Sequence, residues 1–508
     1  PSAAALLVAY LAACKTDERI TIVNRTGWHD IGDQSAFALP GETIGPADCG
    51  TVVLDEGAYG PYAMKGTVEA WTNGVGKASS GHLLPMLAIS TALAGPLLHV
   101  VGLEGGGIHL WGTSSSGKTT CAQAAASVWG RGDSRGFVRG WSATANGIEA
   151  VAASATDTCL VLDEFGMADG RSVEGILYAL SNGAGKQRMA RDQSLREVKN
   201  WRVAVISTGE ITVAQKIAEG GNGKKAKAGQ LVRMLDISAD RGKGHGAFDH
   251  DGAATADALK KAAIGVYGTA GPEFVRRIVA KGLDETRNVL AETMAAFMKK
   301  HVPPKSDGQV LRGAQRFAVI AAAGELAIDF GLVPWTQGDA SKAAAWALAQ
   351  WIDQRGGTGA AEKDQAIRQV RLFLELHSET RFDLLDTYHQ KIAEKVGDNE
   401  IERIVEKKKQ QVGFRNRAGY RSEKDAEYYV LPEVWRDEVC KGLDPQAVAR
   451  TLFENGMLRK GAKNELQIVK RIKGNAEGEN DARRRVYAIN DSIFEQGEKG
   501  QDADEDLF

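Results

Sequence analysis

The sequence predicts an α/β fold built on a mostly parallel sheet with helices on both faces. Three observations lead to it. Short apolar runs alternate with helical patterns between about residues 81 and 237, which is typical of strand–helix units. A glycine-rich turn joins one apolar run directly to a helix at Gly112–Thr119. Residues 254–354 then show helical periodicity nearly throughout.

Each element of the predicted core follows from this alternation. Apolar runs of strand length are separated by segments with helical spacing, and each change of pattern falls at Gly, Ser or a charged turn. We predict strands over residues 107–112, 159–164, 202–207 and 231–237. We predict helices over residues 81–98, 118–128, 146–154, 173–180 and 212–218.

Length and pattern predict several domains, since 508 residues exceed one ordinary core. Short strand-like runs broken by Gly and Pro predict a small β-rich N-terminal domain, and the Gly-rich segment Arg355–Ala360 has the composition of a linker. The predicted domains are an N-terminal mixed or β-rich domain (1–75), the α/β core (76–253), a helical lid (254–354), a winged-helix-like domain (361–494) and an acidic disordered tail (495–508).

The winged-helix prediction rests on the order of elements after the linker. Asp444 and Pro445 have the N-cap and first-turn chemistry of a helix that runs to Phe453. Two basic strand-like runs, 466–473 and 483–490, follow it and are separated by a polar turn. Helix, helix and basic hairpin are typical of a winged helix-turn-helix, which could hold duplex DNA or another protein.

Composition excludes several classes of protein. The 63 Lys and Arg residues nearly balance the 65 Asp and Glu residues, so a uniformly basic surface is excluded. Five scattered cysteines argue against a disulfide scaffold or zinc ribbon and favour a reducing cytoplasm. The apolar segment Pro1–Cys14 is short for a membrane span and lacks a basic leader. We therefore expect it to be a helix docked on a soluble protein with no membrane partner.

The strongest motif is a phosphate-binding loop. Residues 112–119 match G-x-x-x-x-G-K-[ST] in full, with an apolar strand before and a helix after. In such a loop backbone N–H groups face the phosphates, Lys118 neutralises β and γ oxygens, and the Thr119 hydroxyl binds Mg²⁺. This context favours nucleotide binding over a simple Gly/Ser turn. The predicted ATP-binding residues are Gly112, Thr113, Ser114, Ser115, Ser116, Gly117, Lys118, Thr119 and Thr120, with ATP and Mg²⁺ as cofactors.

A pair of carboxylates supplies the second half of this predicted site. The apolar run that begins at Cys159 ends in Asp163 and Glu164. Asp163 can hold the water shell of the metal, and Glu164 can polarise the attacking water. Alone, such a run is more often a strand entering a polar loop. Together with the preceding loop it predicts hydrolysis.

Several motifs together resemble a known family. They are GGGIHLWGTSSSGKTT, LVLDEFGMAD, WRVAVISTGEI and AGQLVRMLDI, with NRTGWHD upstream. The sequence from about Arg25 to the winged-helix-like end is similar to phage- and mobile-element-encoded proteins catalogued as a domain of unknown function. These look like AAA+ replicative helicases related to the superfamily-three and MCM-like groups. The resemblance implies an AAA+ P-loop core, a homo-oligomeric ring that we expect to be a hexamer, and movement on DNA.

The resemblance also suggests roles outside the P-loop. AAA+ proteins orient the lytic water with a polar group at the tip of the neighbouring strand, where Ser207 and Thr208 are candidates unless they only cap a helix. Arg233 could be an arginine finger of the next subunit, or form a surface salt bridge. In the lid Arg312, and with less weight Arg316, could contact phosphate.

DNA contact is expected at a basic segment just before the strand 202–207. Its pattern predicts a hairpin of the kind that superfamily-three and MCM-like helicases place in the pore, with a solvated charged hairpin as the alternative. A Lys/Gly loop at 223–229 is a second basic element. The candidate contacts to single-stranded or forked DNA are Lys186, Arg188, Arg191, Arg196, Lys199, Lys224, Lys225 and Lys227.

Two further partners are predicted. Relatives often carry a primase domain, so priming would reside on another chain or on a removed N-terminal region. The acidic ending Asp504–Phe508 resembles peptides that dock on a host sliding clamp, and loosely the tail of single-strand binding proteins, although a plain disordered tail is the alternative.

The function that follows is an ATP-dependent DNA helicase or translocase, acting as a ring in replication of a phage or mobile element. Two alternatives remain open at this point. One is an ATP-regulated replication initiator or loader that binds DNA without processive unwinding. The other is an ATP-gated oligomeric scaffold that does not act on DNA.

Overall fold

The chain forms two compact units, Pro1–Thr358 and Gly359–Phe508. The computed structural model describes residues 2–14, 19–47, 49–55, 60–185, 198–221, 228–304, 306–355, 361–385, 388–396, 399–407, 416–461, 465–472 and 482–495. Each unit is described by itself. The finer division of the first unit into three domains stays a prediction.

The first unit begins with a helix and five short strands. In chain order these are α1 (Ala3–Ala13), β1 (Ile20–Val23), β2 (Gly27–Ile31), β3 (Gln34–Leu39), β4 (Glu42–Ile44) and β5 (Thr51–Leu54). Strands β2, β3 and β4 form an antiparallel sheet, while β1 pairs with β5 in parallel. Trp28 and Phe37, paired across β2 and β3, are fully buried.

The expectation that the first helix docks on the body is wrong for the residues that the structure describes. Helix α1 forms, but none of its residues is buried, and Leu7 and Tyr10 are more than half exposed. The helix is apolar on every side. An apolar helix is buried only where another element offers a matching surface, and no described element of this unit covers α1.

A five-stranded parallel sheet forms the centre of the unit. Its strands are β6 (Gly106–Trp111), β7 (Val138–Gly140), β8 (Cys159–Asp163), β9 (Ala204–Gly209) and β10 (Met234–Ser238), in the spatial order β10-β6-β9-β8-β7. All neighbours are parallel, as the alternation of strand and helix predicted. The carboxyl ends of the strands therefore meet at one edge of the sheet.

Helices surround this sheet. Those before and within it are α2 (Val68–Trp71), α3 (Lys77–Ser79), α4 (Leu83–Val100), α5 (Lys118–Ala126), α6 (Ala145–Ser154), α7 (Val173–Asn182), α8 (Val213–Glu219) and α9 (Ala228–Leu231). The expected strand 231–237 is shorter than predicted, because residues up to Leu231 belong to α9. The Arg233 N–H donates to the Gln230 carbonyl at 3.1 Å, which closes that turn before β10 begins.

Five longer helices complete the unit: α10 (Gly252–Gly265), α11 (Ala270–Lys281), α12 (Leu283–His301), α13 (Gly308–Asp329) and α14 (Asp339–Gln354). Helix α4 packs against α13 and α14, and one hydrophobic core runs through these helices and the sheet. Among the described helices, α4 has the length and composition to cross a membrane, yet 89% of it is buried inside the unit. Its apolar sequence is accounted for by that burial.

The second unit is a mixed sheet with helices. Its elements are α15 (Ala361–Arg381), β11 (Phe382–Leu384), β12 (Tyr388–Val396), β13 (Asn399–Lys407), β14 (Gly419–Ser422), β15 (Glu427–Val430), α16 (Pro432–Val434), α17 (Pro445–Glu454), β16 (Leu458–Arg459), β17 (Ile468–Ile472), β18 (Ala482–Asn490) and α18 (Ser492–Glu495). The antiparallel hairpin β12–β13 was not predicted. The two basic runs form β17 and β18, in which Arg471 pairs with Arg483 across the strands.

Candidate functional site

The loop between β6 and α5 is curled by left-handed residues. Gly112, Ser115 and Gly117 have φ of 150°, 63° and 94°. Glycine is required at position 117 both because its φ is positive and because a Cβ there would lie 2.7 Å from the Phe248 ring. The loop thus turns back on itself immediately beyond the carboxyl end of the strand, where the helix α5 begins.

Lys118 lies inside the curl of this loop. Its ammonium donates to the Thr113 carbonyl at 2.6 Å, to the Gly112 carbonyl at 3.0 Å and to the Ser116 hydroxyl at 3.3 Å. Burial lowers the pKa of Lys118, against the opposing effect of the nearby Glu210 and Asp163 carboxylates. A cation held at the centre of a ring of loop atoms can neutralise phosphate oxygens bound there.

Asp163 joins three elements at the carboxyl edge of the sheet. Its Oδ1 accepts from the Thr119 hydroxyl at 3.3 Å, from the Thr208 hydroxyl and from the Glu164 N–H at 3.0 Å. The structure therefore brings together the start of α5 and the ends of β8 and β9. Parallel strands in register place these ends side by side, since Leu162 pairs with Ser207 one residue earlier.

The donor set at this point fits Mg²⁺. A hydroxyl and a carboxylate are hard oxygen ligands, and Mg²⁺ is usually held by few protein groups together with phosphate oxygens and water. Among the described residues no cluster of three or more His, Cys, Asp or Glu side chains forms. Thr119 and Asp163 are the residues that would hold the metal next to a bound triphosphate.

Two carboxylates border the site. Glu164 follows β8 with φ 62° and ψ 56°, a left-handed conformation that costs a non-glycine residue about 1–3 kcal/mol and is common at functional sites. Glu210, at the tip of β9, is near enough to Lys118 to raise its pKa. Sequence reasoning singled out Glu164 and missed Glu210. Glu210 could have been found from the sequence, because it follows shortly after the candidate residues Ser207 and Thr208 at the end of the predicted strand.

Ser207 and Thr208 have different surroundings, although both were candidates for orienting the lytic water. The Ser207 hydroxyl accepts from Trp141 Nε1 at 2.9 Å and lies 2.8 Å from His109 Nδ1. His109 Nε2 lies 2.9 Å from the Ile211 carbonyl, which can only accept, so Nε2 carries the proton and Ser207 donates to Nδ1. Ser207 is thus committed to a buried chain of hydrogen bonds, and Thr208 is the residue that contacts Asp163.

His109 is fully buried in this chain of hydrogen bonds. Burial lowers its pKa to about 4, with the nearby Lys118 acting in the same direction and the Ile211 carbonyl in the other. The imidazole is therefore neutral at pH 7. It links strand β6 to the segment that follows β9 and carries Glu210.

The three candidate arginines lie at the opposite edge of the sheet. Arg233 precedes β10 and donates to the Gly229 carbonyl at 2.6 Å, with its guanidinium 4.5 Å above the Tyr178 ring. Arg312 is exposed on α13 and borders, with Arg233 and Arg316, a cavity of about 370 Å³. A six-residue strand such as β6 spans roughly 20 Å. None of these arginines is brought to the phosphate-binding loop of its own chain.

Arg316 ties helix α13 to the sheet. Its guanidinium donates to the Gly105 carbonyl at 2.5 Å and the Val232 carbonyl at 3.0 Å. Burial lowers its pKa to about 10. These bonds hold α13 to the amino ends of β6 and β10, and a contact of Arg316 with phosphate stays a prediction.

The candidate DNA-binding residues lie mostly outside the described residues, as does the acidic tail. Lys199 is exposed, and its carbonyl accepts from the Gly185 N–H at 2.9 Å. Ala184 and Asn200 form an antiparallel bridge at the two ends of the basic segment. The candidates outside the described part are Lys186, Arg188, Arg191, Arg196, Lys224, Lys225 and Lys227.

Sequence reasoning also missed a wall of the site. A cavity of about 750 Å³ lies over the phosphate-binding loop. Its far wall comes from the segment between β10 and α10 and from α10 itself. The lining residues there are Gly244, His245, Gly246, Phe248, Gly252, Ala253, Ala256 and Lys260. The one signal in the sequence was the Gly-Lys-Gly-His-Gly run at 242–246.

The fold and the site together define a mixed α/β protein with a P-loop at the carboxyl edge of a parallel sheet. The sequence profile of a family described as "Domain of unknown function (DUF927)" matches residues 1–200. No curated protein matches the sequence. A solved structure described as "SCCmec type IV Cch - active helicase" superposes with a TM-score of 0.68, covering 97% of this chain and 83% of that chain at 19% identity.

These comparisons agree with the family resemblance at its coarser level. The chain has a fold similar to that of a helicase from a mobile element. At 19% identity the likeness describes the fold and not the chemistry of single residues. The assignment of particular residues therefore rests on the geometry of the site.

Proposed function

We propose that this chain is an ATP-hydrolysing AAA+ motor that acts on DNA as a ring in the replication of a phage or mobile element. The observation that carries the proposal is the meeting of the Thr119 and Thr208 hydroxyls on one oxygen of Asp163, beside the phosphate-binding loop and directly before Glu164. A nucleotide-binding loop alone would need no such convergence. A hydrolytic site needs a metal ligand and a water-positioning group together.

The residues divide the chemistry as follows. The N–H groups of the loop and Lys118 bind the triphosphate, and Thr119 and Asp163 would hold Mg²⁺, which would supply positive charge beside the phosphates. Glu164 accepts the proton of the attacking water, and Thr208 orients that water. Glu210 is the alternative carboxylate, since it lies near Lys118.

The positions of the arginines support the proposed assembly of subunits into a ring. Arg233 and Arg312 border a cavity at the amino edge of the sheet, away from the loop of their own chain. An arginine at that edge reaches a nucleotide only in a neighbouring subunit, and head-to-tail contacts of this kind close into rings. We expect a hexamer in a cytoplasmic protein, with Arg233 as the finger and Arg312 as a second contact in trans.

DNA as the track is supported by the basic segment 186–199. Its two ends are paired by the Ala184–Asn200 bridge, as at the base of a hairpin. The helicase description of the solved structure supports binding of single-stranded or forked DNA and unwinding of the duplex part of a fork. A primase on another chain, and a host sliding clamp or single-strand binding protein at the acidic tail, remain proposed partners.

The test compares ATP hydrolysis and strand displacement from a forked duplex for the wild type, Lys118→Ala and Glu164→Gln. We expect Lys118→Ala to lose both activities, and Glu164→Gln to bind ATP and assemble without turnover. Full ATPase activity in Lys118→Ala would refute the site. Nucleotide-dependent DNA binding without strand displacement would favour the initiator, and ATP-driven assembly without DNA binding would favour the scaffold.

A further inference from the structure

The cavity over the phosphate-binding loop extends well beyond the space that phosphates need. Its volume is about 750 Å³. One wall is the loop itself with Gln123 of α5, and the other is the segment between β10 and α10, residues 239–251, which we call the strap. Because the phosphates bind at the loop, the remaining length of the cavity must receive the nucleoside.

The strap lies in direct contact with the loop. The Ala247 N–H donates to the Ser116 carbonyl at 2.7 Å. A Cβ at Gly246 would lie 2.5 Å from the same carbonyl oxygen, and the φ of Gly246 is 59°. Glycine is needed at this position both for the close approach and for the left-handed backbone.

Asp249 holds the other end of the strap. Its carboxylate accepts from the Leu83 N–H at 2.9 Å and from the Arg241 guanidinium at 2.9 Å. The guanidinium of Arg241 in turn lies 3.9 Å above the Trp346 ring. The strap is therefore attached to α4 and α14 as well as to the loop, and the cavity wall is already formed.

Beyond the strap the cavity continues as a groove between α5 and α10. Ala253, Ala256 and Lys260 line it at three- and four-residue spacing, so they share one face of α10. The two alanines leave room for a flat ring. Gln123 lines the groove from α5, one helical turn beyond Thr119.

The amide of Gln123 has an unused acceptor. Its Oε1 is buried and has no hydrogen-bond partner among the described residues. Leaving a buried acceptor unsatisfied costs about 1–3 kcal/mol. A ligand that places a donor at this end of the groove would remove that cost.

We propose that Gln123 reads the base of the bound nucleotide, accepting a hydrogen bond from the exocyclic amino group of adenine and donating to its N7. This inference rests on the proposed nucleotide-binding function. A glutamine amide matches this pair of groups on adenine. Guanine presents two acceptors at the same edge, so either orientation of the amide sets its oxygen against one of them. The groove therefore selects adenine.

The first test measures the affinities of the full chain for ATP and GTP by competition with a fluorescent ADP analogue. The wild type should bind ATP about 5- to 150-fold more tightly than GTP, the range of one good paired contact. In Gln123→Met, which keeps the length and removes the hydrogen bonds, this ratio should fall to near one, through weaker ATP binding. A ratio that changes less than about twofold overturns the inference.

A second measurement uses the unaltered protein. ATP with two methyl groups on its exocyclic nitrogen lacks the donor, so the wild type should lose as much affinity for it as Gln123→Met loses for ATP. The variant should lose nothing further. Equal losses for the modified nucleotide in both proteins would overturn the inference even if the variant were poorly folded in other assays.

Lys260→Met is the matched control on the opposite wall of the groove. It should leave the ATP-to-GTP ratio unchanged, and control of the ratio by Lys260 instead of Gln123 would contradict the inference. If the wild-type protein bound no nucleotide, as we expect of Lys118→Ala, the proposed function itself would be refuted. The two failures are therefore distinguishable.

Discussion

The two edges of the central sheet have complementary contents. At the carboxyl edge the phosphate-binding loop, Asp163 and Thr208 meet within hydrogen-bond distance of one another. At the amino edge Arg233, Arg312 and the half-buried Arg316 border an open cavity. One edge has the phosphate-binding loop and the metal-holding groups, while the other has the three candidate arginines. Each edge is half of the site that a ring would assemble between subunits.

The largest expected effect is on ATPase turnover, and it tests whether the two edges of neighbouring subunits form one active site. Arg233→Ala should lower the ATPase turnover about a thousandfold, the usual contribution of an arginine finger, with ATP affinity retained. Mixing Arg233→Ala with Lys118→Ala subunits should restore roughly a quarter of the activity, because randomly mixed head-to-tail interfaces pair an intact loop with an intact finger that often. Steady-state ATPase assays of the mixture provide the measurement.

Arg171→Ala is the control for this experiment, since Arg171 is exposed and forms an ion pair with Asp169 in its own loop. It should leave turnover within about twofold of the wild type. No recovery on mixing, in a sample that still assembles, would show that the two edges do not share a site.

The next effect tests the hydrogen bonds by which Arg316 ties α13 to the sheet. Arg316→Met should lower the free energy of unfolding by about 3 kcal/mol, because it removes the guanidinium hydrogen bonds to the Gly105 and Val232 carbonyls. Urea unfolding checks this value. Turnover per folded molecule should stay near that of the wild type, whereas a specific loss of turnover with unchanged stability would return Arg316 to the candidate site.

Acid should weaken the carboxyl edge through His109. Its folded pKa of about 4 lies below the usual 6.5, so the unfolded chain binds more protons between those values. Stability is therefore full above pH 6.5 and falls as the pH decreases, by about 2 kcal/mol from pH 7 to pH 5. Urea unfolding at both pH values measures the change. His109→Asn, which cannot titrate there, should reduce the pH dependence by that amount.

The smallest effect distinguishes the two hydroxyls at the tip of β9. Thr208→Val should lower turnover about thirtyfold, near 2 kcal/mol, because it removes the hydroxyl beside Asp163 without changing the shape of the side chain. Thr208→Ser is the control and should retain most activity. If Ser207→Ala lowers turnover more than Thr208→Val at equal stability, the assignment of the two residues is reversed.

Local pattern was enough to predict much of the carboxyl edge. The glycines, Lys118 and Thr119 belong to one contiguous motif whose spacing is set by the curl of the loop. Asp163 and Thr208 were predicted because each ends an apolar run, and the ends of parallel strands meet at one edge. The order of elements in the first unit followed from the same alternation of periods.

The sequence pattern could not predict which side chains are exposed or join the site, because this depends on neighbours that are distant in sequence. Arg312 and Arg316 lie four residues apart on one helix, yet Arg312 is exposed, while Arg316 is half-buried and donates to the Gly105 carbonyl. The strap and Gln123 join the site only because α10 packs on α5. Nothing in the local sequence of α1 indicated that its apolar residues stay exposed.

Ser207 and Thr208 illustrate the difference between what the sequence determines and what the tertiary structure determines. The sequence by itself determined that two hydroxyl residues end a buried strand, and that consecutive residues face opposite sides of a sheet. Only the tertiary structure decided which side holds Asp163 and which holds His109 and Trp141. The physical reason is that alternation depends on the strand alone, while the identity of each face is set by the layers that pack on it.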